Sequence, residues 1–176
     1  SPPLAFPTGR LVGSDAGITY GSEPYLRRLP SGRFRMGALV EVSQYPEGVF
    51  ETALAGTIFY SDEPVVTWIA ANWASVGRED PQRPGCYPVD AARGSLFDAG
   101  AFYRYDEAMG DSRIRAIIDS WLKEYPAFLP LTGFGGGGAI FNPNSDGCYP
   151  TFYGLSADGN VALALTDFTY AFKPTG

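Results

Sequence analysis

"RFRMGALVEVSQYPEGVFETALAGTIFYS", residues 33–61, is the stretch on which the fold turns. Phe34, Met36, Ala38, Val40 and Val42 alternate with a set that includes Arg33, Arg35 and Glu41, which is the period of a strand with one buried face. Pro46, Glu47 and Gly48 supply turn chemistry, and residues 49–61 then read as the returning strand. An antiparallel hairpin is therefore predicted. A second lies near the C-terminus, where Asp158-Gly159 separates "CYPTFYGL" from "VALALTDFTYAF" and gives the strongest short-range hairpin signal in the chain.

The segments on either side fit the same class. Residues 1–31 are rich in Pro and Gly and are expected to wrap the core with one or two short strands. In "PVVTWIAANWASVG" the β-branched Val65, Val66 and Thr67 favour strand while Trp68, Ala71 and Asn72 fit a helical period, so its type stays open. "DSRIRAIIDSWLKEYP" reads as an amphipathic helix over about 111–125. Asp111 or Ser112 caps it, Ile114, Ile117, Ile118, Trp121, Leu122 and Tyr125 form its apolar face, and Pro126 stops it. Arg113, Arg115, Asp119, Lys123 and Glu124 form a solvated face. Residues 132–147, with glycine at 135 to 138, are expected to be a flexible Gly-rich loop. The expectation is one α+β domain over residues 1–176, β-rich, mostly antiparallel sheet or sandwich, with one clear helix.

Composition bounds the function. The chain has 176 residues, 45% hydrophobic and 15% aromatic, enough for one sizeable core. A formal charge of −6 gives no basic field for phosphate backbones or anionic lipid, so neither nucleic acid nor a membrane is expected as a partner. No stretch approaches the roughly 20 apolar residues of a membrane span, and a soluble protein is expected. The chain starts at Ser1 without signal-peptide features, which leaves earlier removal of a leader, and hence export, open. Histidine is absent, which removes the commonest general base, the usual orienter of Ser and Cys nucleophiles and the commonest transition-metal ligand.

Three blocks carry a family resemblance. "FPTGRLVGSD" (residues 6–15), "YPVDAARGSLFD" (87–98) and "DGCYPTFYGLSADGNVALALTDF" (146–168) together resemble domain-of-unknown-function family 4241, scattered among bacteria. The resemblance implies a single-domain fold with an Asp-Gly hairpin near the C-terminus and transfers no catalytic residues. Between Gly135 and Asp146 the chain departs from the family pattern with extra residues.

The two cysteines, Cys86 and Cys148, both sit in the tetrapeptide "GCYP". Zinc needs four ligands and no histidine is present; a thiolate nucleophile has no histidine to activate it. A disulfide, or one turn leading into a strand and used twice, remains. Each copy belongs to a resemblance block and is followed by a Gly/Asp turn.

Asp15, Asp90, Asp98, Asp146 and Asp167 lie in or beside those blocks. Converging carboxylates are what Ca²⁺, Mg²⁺ or a two-carboxylate acid–base mechanism requires, yet Asp beside Gly is also how turns bond their own backbone, and turn duty explains them better. "GFGGGG" lacks the Lys-Ser/Thr closure of a phosphate loop. Ser22, Ser31 and Ser95 lack a Ser-x-x-Lys spacing. Aromatics near turns or polar segments, Tyr20, Tyr25, Tyr45, Phe102, Tyr103 and Tyr105, suit a binding surface. The residues expected to bind are Tyr103, Tyr105 and Phe134 with Gly135, Gly136, Gly137 and Gly138. The functional expectation is a non-enzymatic protein-binding domain of immunity or inhibitor type, without cofactor, whose acidic aromatic surface meets another protein, a basic one being the electrostatic complement. The alternatives are a carboxylate-dependent hydrolase using Asp15, Asp90, Asp98 and Asp167, with Ca²⁺ or Mg²⁺ assistance, and a carbohydrate-binding module. Oligomeric state stays open.

Overall fold

The computed structural model describes residues 2–19, 21–76, 85–124 and 127–173, without the side chains of 121–124. The chain runs β1 (Leu4–Phe6), β2 (Leu11–Asp15), β3 (Gly32–Tyr45), β4 (Gly48–Phe59), β5 (Thr67–Ala70), β6 (Cys86–Val89), β7 (Gly94–Asp98), α1 (Ala99–Met109), α2 (Ser112–Glu124), β8 (Phe128–Leu131), β9 (Gly138–Phe141), β10 (Gly147–Leu155) and β11 (Val161–Asp167). One sheet has the order β1-β3-β4-β11-β10-β5, with β6 also pairing with β10; the other is β2-β7-β9-β8. Both are antiparallel throughout.

Successive side chains of a strand point to opposite faces, so a strand buried at every position must be covered on both. β2, β7 and β9 are such strands. Leu11, Leu96, Ala139 and Phe141 point one way and pack with Leu4, Phe6, Met36, Ile58, Tyr153 and Ala164 of the larger sheet. Val12, Phe97 and Ile140 point the other way and pack with Phe102, Tyr105, Met109 and Ile118 of the helices. The result is a β-sandwich with a helical layer on the smaller sheet, the α+β class predicted.

Both predicted hairpins are present. β3 and β4 pair from Arg35↔Phe59 to Tyr45↔Gly48, with a bulge between Leu39 and Val40. β10 and β11 meet over the Asp158-Gly159 turn, where Gly159 takes φ +77°. The wrapping segment carries β1 and β2, and the undecided stretch resolves into β5 followed by a 3-10 turn at Ala74–Val76.

Helix α2 begins as predicted, with the Asp111 carboxylate accepting the Arg113 N–H at 2.8 Å. Its apolar stripe is only partly covered: Ile118 is buried, while Ile114 and Ile117 face solvent. Tyr125 and Pro126 lie outside the described residues. Helix α1 was not foreseen, although its stripe, Phe102, Tyr105 and Met109, has helical spacing and Asp98 caps it by accepting the Gly100 N–H at 3.0 Å.

The two "GCYP" copies are strands, not turns. They pair with each other in the register Gly147↔Val89, Cys148↔Pro88, Tyr149↔Tyr87 and Pro150↔Cys86. Cys86 and Cys148 stand diagonally across this ladder, Cα atoms 5.2 Å apart, and form a disulfide. Tyr87 and Tyr149, directly opposite, both enter the core. The repetition thus has one cause: each strand brings a cysteine to the staple and a tyrosine to the interior.

The residues 132–147, expected as a loop, contain β9, and the glycine run is packed rather than loose. Gly137 donates to Ala5 O at 2.5 Å and accepts from Asp98 N at 2.9 Å, and a Cβ on it would lie 2.5 Å from that of Leu4. On Gly138 a Cβ would lie 2.1 Å from the Phe97 ring. These glycines permit close approach of backbones and rings, a requirement that composition alone does not distinguish from flexibility.

Candidate functional site

The aspartates do not converge on one point. Asp15, nearly fully buried, accepts N–H groups from Gly17 (2.6 Å), Ile18 (3.2 Å), Asp90 (2.6 Å) and Ala91 (2.7 Å). Asp98 accepts from Thr8 N (3.0 Å) and Thr8 Oγ1 (2.7 Å) as well as capping α1. Asp15 pairs with Gly94 and Asp98 with Leu11, so the two stand at opposite ends of the β2–β7 ladder. Asp167, in the other sheet, accepts from Thr169 N, Thr169 Oγ1 and Phe172 N at 2.7 to 2.9 Å. Asp146 holds Ala92 N at 3.1 Å, so Asp15 and Asp146 together grip the loop of Asp90, Ala91 and Ala92, the last at φ +52°. The carboxylates of Asp15, Asp98, Asp146 and Asp167 are each engaged with backbone amides, the exposed Asp90 meets Asp15 through its N–H, and among the described residues no group of three or more His, Cys, Asp or Glu side chains could hold a metal ion.

The proposed aromatic–glycine surface is also divided. Tyr105 is fully buried, donates its hydroxyl proton to Ala16 O at 2.7 Å, and is held protonated beyond its ordinary range chiefly by burial. It belongs to the core between Phe97 and the edge-on Phe134 ring, so it is unavailable for contact. Tyr103 does face solvent. Tyr25 and Phe102 are core residues, and Tyr20 lies outside the described residues.

The exposed aromatic surface lies on the predicted hairpin. β1 covers β3 only at Gly32, Arg33 and Phe34, and β11 covers β4 only from Ala55 to Phe59. Past the bulge, residues 40–45 and 48–53 run on as a two-stranded arm; Ala53 N–H, bonded to Asn142 O at 2.8 Å, fastens its base. With no sheet among the described residues beneath it, the arm leaves Val42 63%, Tyr45 56%, Val49 61% and Phe50 50% exposed. Val42, predicted inward by alternation, therefore faces solvent. Strand length was the available signal: 14 and 12 residues against a usual five or six means that the pair outruns its neighbours.

Directly opposed residues of an antiparallel pair share a face. Glu41 with Thr52, Ser43 with Phe50, and Tyr45 beside the turn thus form one face of the arm. Together with Glu47, Pro143 and Asn144 they bound a groove of about 660 Å³. Tyr45 and Phe50 meet edge to face, centroids 5.5 Å apart. At Asn144 the groove adjoins a smaller hollow of about 240 Å³, lined by Arg93, Phe128 and Asn142 among others. Arg93 reaches from it to Asp119 at 2.9 Å. From residue 36 to residue 76 the chain carries five acids, Glu41, Glu47, Glu51, Asp62 and Glu63, and no Lys or Arg. Carboxylates beside aromatic faces are chemistry for an ammonium or guanidinium group, which gains both charge pairing and ring attraction.

No curated protein and no solved structure matches the chain. A family model described as protein of unknown function (DUF4241) matches residues 4–166, a span that takes in both sheets, both helices and the whole arm. The chain belongs to that family.

Proposed function

We propose that this domain binds another protein through the β3–β4 arm, with basic side chains of the partner received in the groove between Glu41, Glu47, Tyr45 and Phe50. One observation carries the reading: the arm holds two aromatic and two aliphatic side chains in solvent, on a stretch without a single cation. Exposed apolar clusters rimmed by charge are a feature of interaction surfaces. An immunity or inhibitor role is the physiological form that an acidic masking surface fits best. The carboxylate-hydrolase alternative draws no support from the aspartates, because the oxygens of Asp15, Asp98 and Asp167 are engaged by backbone amides and threonine hydroxyls and Asp15 and Asp98 stand at opposite ends of the β2–β7 ladder.

The test is a pair of pull-downs from native lysate, one with the wild-type domain and one with Glu41→Lys/Glu47→Lys/Glu51→Lys. The wild type should retain a basic protein stoichiometrically at micromolar bait and release it as salt is raised, while the variant retains none. Equal retention by both baits, or none by the wild type, contradicts the proposal.

A further inference from the structure

The outer edge of β3 is a second, distinct resource of the arm, formed by backbone rather than side chains. The β1 pairing stops at Phe34, and among the described residues no strand lies along the outer edge of β3, the edge away from β4, from Gly37 to the turn. The direction of its backbone groups follows from the ladders. Tyr60 N–H donates to Ala162 O, so even-numbered residues of β4 bond toward β11 and odd-numbered ones toward β3 as far as the bulge. Gly37, opposite Thr57, therefore faces β4, and its carbonyl also accepts the Thr57 hydroxyl at 3.2 Å. Alternation along β3, which carries no inserted residue, turns the N–H and C=O of Ala38, Val40, Val42 and Gln44 outward. The Ala53 N–H, opposite Val40, points away from β3 to Asn142, as this register requires.

Open edges of this kind are templates for another strand, and proteins usually block them with lysine, proline or a very short strand. None of these protects residues 38–44, whose only charge is Glu41. We infer that β3 is extended by an incoming strand of a partner protein, a segment that alternates basic with apolar residues. Charge selects this occupant over a second copy of the chain. Two β3 edges paired antiparallel about Glu41 would set the two Glu41 side chains directly opposite each other, between molecules of net charge −6, and Arg35, the nearest cation on the strand, is already paired with Asp62. A basic strand meets the opposite field: its backbone pairs with Ala38, Val40, Val42 and Gln44, and its cations lie beside Glu41 and Tyr45.

This inference rests on the protein-binding reading and adds its mode. The test uses a synthetic ten-residue peptide of alternating lysine and valine, the same peptide N-methylated at alternate backbone nitrogens, and a glutamate–valine analogue, titrated calorimetrically into the whole domain. The lysine–valine peptide should bind and raise the exchange protection of the Ala38, Val40, Val42 and Gln44 amides. N-methylation on the pairing edge should weaken binding at least tenfold, and the glutamate–valine analogue should not bind. Val42→Pro should weaken binding similarly, because it removes an outward N–H and no β3–β4 bond; the N-methylated peptide decides the matter on unaltered protein if that variant is unstable. Equal binding of methylated and unmethylated peptides overturns strand addition while leaving side-chain recognition standing. No binding of the lysine–valine peptide overturns the inference, and so does a concentration-dependent dimer that Val42→Pro abolishes.

Discussion

Gly138 sits under Phe97 so closely that a single added methyl has nowhere to go. Gly138→Ala should cost about 2 kcal/mol in denaturant unfolding, the range of overpacking a filled core; an unchanged midpoint would mean that the ring moves freely. Asp15 makes the complementary case for a buried charge. Its oxygens satisfy four backbone N–H groups, so Asp15→Ala should destabilise by about 3 kcal/mol, leaving donors on both loops without partners. Wild-type stability in that variant would contradict the assignment. That aspartates beside glycines serve turns was legible from residue type alone, because an Asx side chain bonds the amides two or three positions on. Which distant loop Asp15 also holds was not, since Asp90 and Ala91 are 75 and 76 residues away. Tyr105 was misplaced for a related reason: polarity of its neighbours does not tell which side of a helix faces the sheet.

Among elements, the hairpins were legible because alternation and turn chemistry are local. The arm was less so, since whether Val42 faces core or water depends on where β1 and β11 stop. Arm side chains contribute little to folding, so Tyr45→Ala and Phe50→Ala should each shift stability by about 1 kcal/mol or less, their mutual contact being the main loss. A larger effect in thermal unfolding would show that the arm is part of the core. The β6–β10 pair is the opposite kind of element. Its disulfide closes a separation of 62 residues, and on the chain-entropy model reduction should lower stability by about 4 kcal/mol. Intact mass with and without reductant, paired with unfolding of Cys86→Ser/Cys148→Ser, checks both the bond and its effect. The identical tetrapeptides were visible at once, but that they lie side by side is a property of the sheet order.

At the scale of the molecule, the sandwich carries its tyrosines deep. Burial holds Tyr25, Tyr60, Tyr87 and Tyr105 protonated well above their ordinary range. In the unfolded chain they ionise near pH 10. The folded state thus keeps protons that the unfolded state releases, so their contribution is complete below about pH 10 and is lost as pH rises beyond it. Stability should hold level between about pH 7 and 9 and fall steeply above 10, with the tyrosinate absorbance of these four residues appearing only as the chain unfolds; their ionisation before unfolding would contradict their burial. The same molecule leaves its arm in solvent, where the proposed protein partner would cover it. Hydrogen exchange of the domain, alone and with the protein it captures, tests this most directly. Slowed exchange is expected at residues 37–53 and at Asn142 and Asn144 alone, whereas protection elsewhere with an unchanged arm would contradict partner binding there.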